Sequence, residues 1–136
     1  ALAYFLQSKM AENFDVDIHP GAQIGSGIMI DHAVGLVVGE TTVIGNNVSI
    51  LHSVTLGGSG SVTAKRCPKV SDGVMISAGA KIIGDITIGE GAKIGAGSLV
   101  LHSVAPHVTV AGVPGVVVGA PLEEMPALGM NQNLDN

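Results

Sequence analysis

The chain is 136 residues long, about one domain, and carries a formal net charge of −5 with only six Lys and Arg. That balance excludes nucleic-acid binding, which needs a basic face against phosphates, and no apolar run approaches the ~20 residues that cross a bilayer as a helix. Hydrophobic residues make up 46% but aromatics only 2%, and Gly is 20 of 136, so the core must be aliphatic and the chain must turn corners often.

Residues 1–14, ALAYFLQSKMAENF, place Leu2, Phe5, Leu6 and Met10 close to helical spacing, which predicts a short amphipathic helix. It starts without a capping residue and holds every aromatic of the chain, the expectation for the C-terminal end of a longer helical region.

From Ile18 an aliphatic residue recurs every sixth position: Ile18, Ile24, Ile30 and Leu36, then after a two-residue slip Ile44, Ile50 and Leu56. A third run follows at Val70, Ile76, Ile82, Ile88, Ile94 and Val100, and all of these but Leu36 and Leu56 are β-branched. Gly follows the repeat residue at positions 25, 45, 89 and 95, where a corner could need positive φ. A helix cannot use a period of six, because successive apolar residues would rotate around its axis. A short strand, a corner and another short strand can. Three hexads close one triangular coil of 18 residues, and stacked coils pair parallel strands, the hexapeptide signature of a parallel β-helix. No single coil is stable without its neighbours.

Residues 57–69 interrupt the count and predict an extruded loop, the place where a rigid scaffold concentrates binding groups. Half of the cations, Lys65, Arg66 and Lys69, lie there. After Val100 the pattern decays, and residues 120–136 predict a loose C-terminal tail. The domain reading is thus 1–14 helical, 15–119 solenoid and 120–136 tail. The single cysteine, Cys67, has no intrachain disulfide partner and points, with no signal-peptide pattern in view, to a reducing, cytoplasmic setting.

With the hexads, the segments VDIHP, IDHAVGLVVGE, SILHSVTLGGSG, GAKIGAG and AGVPG are all present over roughly residues 1–120. Together they resemble the catalytic domain of the serine O-acetyltransferases, hexapeptide acyltransferases whose fold is an all-β, left-handed parallel β-helix. The resemblance implies acetyl transfer from acetyl-CoA to the hydroxyl of L-serine, the first step of cysteine biosynthesis, with L-cysteine as inhibitor and no metal. It implies His32 as general base and Asp17, fifteen residues earlier, as the carboxylate that orients it. The chemistry agrees: a neutral imidazole suits removal of an alcohol proton near pH 7, and a carboxylate on its other nitrogen fixes the tautomer. On an 18-residue coil the two stand three places short of one lap, so they are expected to meet on one edge. His19, beside Asp17, is the alternative base.

Further roles follow from the resemblance. Asp31 meets the substrate ammonium, Arg66 clasps its carboxylate with a forked donor set, and position 67 touches the substrate. The family has Arg-His-Pro-Lys where this chain has Arg66-Cys67-Pro68-Lys69, and Cys offers no comparable donor. Ser59, Ala78, Lys93 and Ala96 line the CoA groove, Lys93 near the phosphates, and a backbone N–H of the Gly57-Gly58 turn meets the oxyanion. The family forms trimers, paired into hexamers by an N-terminal helical domain, and its tail binds O-acetylserine sulfhydrylase through a terminal Ile; this chain ends in Asn136. Three competing readings remain. One is acetylation of another small hydroxyl acceptor (homoserine, a sugar or a xenobiotic). A second is a non-catalytic scaffold for the sulfhydrylase, which the Asp17/Asp31/His32 set speaks against. The last is a zinc enzyme of the γ-carbonic anhydrase type, for which the five histidines offer no ligand-spaced set.

Overall fold

The computed structural model describes residues 1–60 and 66–130. Lys65 and the middle of the 57–69 loop, with the last six residues of the tail, lie outside the described residues. Helix α1 (Leu2–Phe14) ends where Asp15 turns left-handed at φ 56 and its N–H closes on Ala11. No residue of α1 is buried. It meets the solenoid through Gln7, whose Nε2 donates to Asp17 at 2.7 Å, and through Tyr4, edge-to-face with His19 at 5.5 Å. The expected amphipathic helix is present, but its apolar side is open.

Fourteen short strands then wind around three faces. The first coil holds β1 (Asp17–Ile18), β2 (Gln23–Ile24) and β3 (Met29–Ile30), and the second β4 (Val37–Val38), β5 (Val43–Ile44) and β6 (Ser49–Ile50). The third holds β7 (Thr55–Gly57), β8 (Lys69–Val70) and β9 (Met75–Ile76); the fourth β10 (Lys81–Ile83), β11 (Thr87–Ile88) and β12 (Lys93–Ile94). Then come β13 (Leu99–Val100) and β14 (Thr109–Ala111). Strands three apart pair in parallel, and β14 pairs with β12 because only the isolated bridge of Val104 to Ile88 stands between β13 and β14; the first sheet is β1-β4-β7-β10-β13, the second β2-β5-β8-β11 and the third β3-β6-β9-β12-β14. A last strand, β15 (Val116–Gly119), adds antiparallel to β14 and ends the third sheet.

The hexad explains the core. In each repeat the Ile or Val of the strand points inward, and so does the residue two places before it. Leu56, Ile76, Ile82, Ile88 and Ile94 are fully buried, and so are Val48, Val54, Val74, Ala80 and Ala92. Equivalent side chains stack along each face, as in Ile50 to Ile76 to Ile94.

Coil length varies where the sequence reading holds it at 18. Asp17 pairs with Val37, 20 residues on; Val43 with Lys69, 26 on; Lys69 with Thr87, 18 on; and Lys93 with Thr109, 16 on. The first slip therefore falls before Val38, which pairs with Ile18, and not after Leu36. Leu36 is still buried because it takes the second inward position of its repeat. The decay after Val100 is a coil shortened by two residues: Val104 bridges to Ile88 and Val110 pairs with Ile94. The expected loose tail is, over residues 121–130, packed down. A 3-10 turn at Pro126–Gly129 buries Pro126 and Ala127, and the Ser49 hydroxyl donates to the Ala127 carbonyl at 2.9 Å.

Candidate active site

The corners that join the third sheet to the first stack on one another. The N–H of Ser53 donates to Val34 O, that of Gly79 to His52 O and that of Gly97 to Ala78 O, all within 2.9 Å. His52, Ala78 and Ala96 thus stand in single file along one edge, with Val34 their counterpart in the first coil and the ring of His32 against that of His52 at its head. His32 leads it with φ 52, a left-handed conformation that costs a non-glycine residue about 1–3 kcal/mol and concentrates at functional sites. Its side chain is 80% exposed, Nε2 lies 3.5 Å from Asp31 Oδ1, and its ring stands edge-to-face with His52 at 6.4 Å. Asp31 is tied to the next coil by its N–H to Ile50 O at 2.9 Å. An accessible imidazole, with a carboxylate beside it and small residues below, is a place where a base can meet an extended ligand.

The expected pairing of His32 with Asp17 is not among the contacts of either side chain. Asp17 accepts from Gln7, and His32 reaches Asp31. The reason lies in the corner 31–36, whose two extra residues put His32 five places before Val37, the register partner of Asp17. His19 is engaged elsewhere: its Nδ1 accepts from Gly21 N–H at 2.9 Å and its ring packs on Tyr4.

Lys93, on β12, immediately precedes the Ala96 corner and borders the same file. Ser59 does not join it. Gly57 ends β7 of the first sheet, and Gly58, Ser59, Arg66 and Cys67 follow it before β8 of the second, and so occupy the edge between the first and second sheets. There the hydroxyl of Thr41 accepts the N–H groups of Arg66 and Cys67 at 3.1 and 2.9 Å, and the Arg66 guanidinium lies 3.5 Å from Glu40. Cys67 is buried, with Sγ so close to Gly39 that a Cβ there would come within 2.6 Å of it. Its thiol therefore faces the scaffold and not solvent. A cavity of about 630 Å3 opens beside this corner, lined by Glu40, Thr41 and Lys69 among others.

Two residues escaped the sequence reading. His52 falls 20 after His32 and meets its ring, and only the true length of the 31–36 corner reveals that. Glu40 follows β4 as Arg66 follows β7, a relation hidden by the interrupted count. Among the described residues no group of three His, Cys, Asp or Glu side chains could hold a metal, and no helix is long and apolar enough to cross a membrane.

Comparison with known proteins fits this layout. The family model "Bacterial transferase hexapeptide (six repeats)" matches residues 68–102. The serine acetyltransferases of Escherichia coli K12 and Salmonella typhimurium LT2 are 59% and 58% identical over 135 residues, 99% of this chain and 50% of each relative. The chain belongs to the serine acetyltransferase family. It spans about half the length of the curated relatives it matches. The crystal structure of the Vibrio cholerae serine acetyltransferase superposes with a TM-score of 0.93 at 55% identity, covering 99% of this chain and 52% of that one. A serine acetyltransferase in complex with cysteine follows at 0.91 and 57%, covering 97% and 51%. The Brucella abortus enzyme in complex with coenzyme A gives 0.85 and 57%, covering 88% and 48%.

Proposed function

We propose that this chain is the catalytic half of an enzyme that moves the acetyl group of acetyl-CoA to the hydroxyl of L-serine, giving O-acetylserine and CoA. The catalytic unit is residues 15–119, wound as a left-handed β-helix, with 1–14 the end of a helical region and 120–136 a C-terminal segment. The observation that carries the reading is the exposed His32 imidazole at the head of the Ala78–Ala96 file. A thioester ligand lies along that file, where residues without long side chains let it approach the backbone, and Lys93 neutralises its phosphates. The serine hydroxyl gives its proton to His32 as its oxygen attacks the thioester carbon. The tetrahedral intermediate then expels CoA, and the imidazolium returns the proton to the departing sulfur. Asp31 binds the substrate ammonium, and Asp17 steadies the base when the substrate draws the 31–36 corner toward β1.

Arg66 and His32 stand on different edges of one chain, so a site that uses both forms between copies. One copy's His32 edge meets the next copy's Arg66 edge, and such a head-to-tail contact closes as a ring, here a trimer. The same contact brings Ser59 and the Gly57-Gly58 turn to the CoA file. L-Cysteine, with serine's ammonium and carboxylate and a thiol for its hydroxyl, competes for the acceptor site. The open apolar side of α1 supports pairing of trimers through a helical region. Cytoplasmic location and association with O-acetylserine sulfhydrylase belong to the same reading.

The test is serine-dependent release of free CoA, with and without cysteine. His32→Ala is expected to lower kcat by about 10²–10⁴, the usual share of a general base, with the trimer intact by light scattering. Turnover near that of the parent protein would overturn the reading. Buried Cys67 offers the acceptor no donor, which favours one variation: another small hydroxyl acceptor (homoserine, a sugar or a xenobiotic). A panel of acceptors in the same assay separates it from serine.

A further inference from the structure

We infer that Glu40 is a specificity-determining residue: it holds the Arg66 guanidinium in the empty site, and an acceptor's carboxylate takes its place there while Glu40 crosses to Lys69. The inference rests on the reading that Arg66 clasps the acceptor's carboxylate. A neutral hydroxyl compound cannot make the exchange, so the site selects acceptors that carry a carboxylate.

The first ground is how Arg66 is held. Its backbone is fixed, because the Thr41 hydroxyl accepts the N–H groups of Arg66 and Cys67 at 3.1 and 2.9 Å. Its stem lies along Gly58, where a Cβ would come within 2.8 Å of Arg66 Cγ. The guanidinium itself rests on the Glu40 carboxylate, Nη2 to Oε2 at 3.5 Å. The backbone anchor is separate from the ion pair, so one carboxylate can replace another while the fork stays in place.

The second ground is that the pair is loose. The side chains of Arg66 and Glu40 are 41% and 51% exposed. Their separation is well beyond the ~2.7–2.9 Å of a charge-assisted hydrogen bond. A guanidinium is matched best by a carboxylate that meets it with two parallel bonds. A free acceptor can take that approach, whereas its tether to the corner after β4 holds Glu40 off.

The third ground is a place for Glu40 to go. The cavity of about 630 Å3 beside this corner is lined by Glu40, Thr41 and Lys69. Lys69 is exposed and, among the described residues, makes no ion pair. Val43, its register partner, comes three residues after Glu40, so the two charged side chains border one space from neighbouring coils. In the empty site Glu40 sits on Arg66 and not on Lys69. Displacing it therefore carries a net cost, which the lysine reduces.

That ordering fixes the sign of each result when CoA release by the trimeric protein is measured with serine and with serinamide, its neutral amide. Glu40→Gln removes the competitor and is expected to lower KM for serine about two- to fivefold, the size of one exposed ion pair. Lys69→Met strands the displaced carboxylate and should raise that KM by a similar factor. Added to Glu40→Gln, Lys69→Met should have no further effect, because no carboxylate is left to cross. Such coupling is not produced by two separate structural roles. KM for serinamide should follow none of these changes. A Glu40→Gln protein with a raised KM for serine, as loss of a plain support for Arg66 produces, overturns the inference alone. So does a Lys69→Met effect of equal size in both backgrounds. A parent protein that uses serinamide as well as serine, or releases no CoA with any acceptor, overturns this inference together with the reading beneath it.

Discussion

Replacing Ile76 by Ala tests the idea that stacked aliphatics, and not the corners, hold the solenoid together. Ile76 is fully buried at the centre of the column Ile50–Ile76–Ile94. Three carbons leave, worth roughly 2.4 kcal/mol at about 0.8 kcal/mol each. The hydrogen-bonded ladders above and below fix the coil spacing, so the hole cannot collapse, and the cavity raises the loss to about 4 kcal/mol, within the ~2–5 usual for such changes. Ile24 occupies an inward position of the first coil, on the second sheet, but is 43% exposed. Its replacement by Ala removes about half the transfer energy, leaves no enclosed hole, and should cost about 1 kcal/mol. Guanidinium unfolding followed by circular dichroism, at one fixed protein concentration because assembly contributes, measures both. An Ile76→Ala loss below about 1.5 kcal/mol, or one no larger than that of Ile24→Ala, would refute the reasoning.

Other outcomes can be checked alongside. Gly39→Ala puts a Cβ 2.6 Å from Cys67 Sγ and 3.2 Å from Leu56 O; it should displace Cys67 with Arg66 and raise KM for serine severalfold, with KM for acetyl-CoA unchanged in steady-state kinetics. Asp17→Asn should lower kcat at least tenfold by weakening support of the base, whereas Gln7→Ala, which only frees the Asp17 carboxylate, should leave kcat within twofold. Gly91→Ala forces a Cβ to 2.2 Å from Glu124 O at a residue with φ +66. It should lift the 121–130 segment, seen as faster limited proteolysis there with turnover preserved.

The faces of this molecule were legible in the sequence, and its edges were less so. A period of six with β-branched residues admits one architecture, and the strands fall where the count puts them from Ile44 to Val100. Leu36 misled because inward positions come in pairs two apart, so Leu36 and Val38 both satisfy an apolar count, and only pairing with Ile18 distinguishes them. Val104 and Val110 were missed because a fixed period does not anticipate a shortened coil, and Ala127 because one small buried residue leaves no periodic trace. The Asp31-His32 pair stood out as chemistry, but which edge each functional residue occupies depends on how many strands precede it. That count places His32 after a third-sheet strand and Arg66 after a first-sheet strand, and so separates two groups that motif reading had brought together.

The unequal spacing of strand partners has an evolutionary consequence. Val43 meets Lys69 and Lys69 meets Thr87 through the same parallel ladder, although eight more residues intervene in the first case. Lengthening a connection costs only a slowly growing entropy of closure, so insertions at the vertices leave the interior unaware of them. Loops at the vertices can therefore be traded for one another while the aliphatic column beneath them stays as it is.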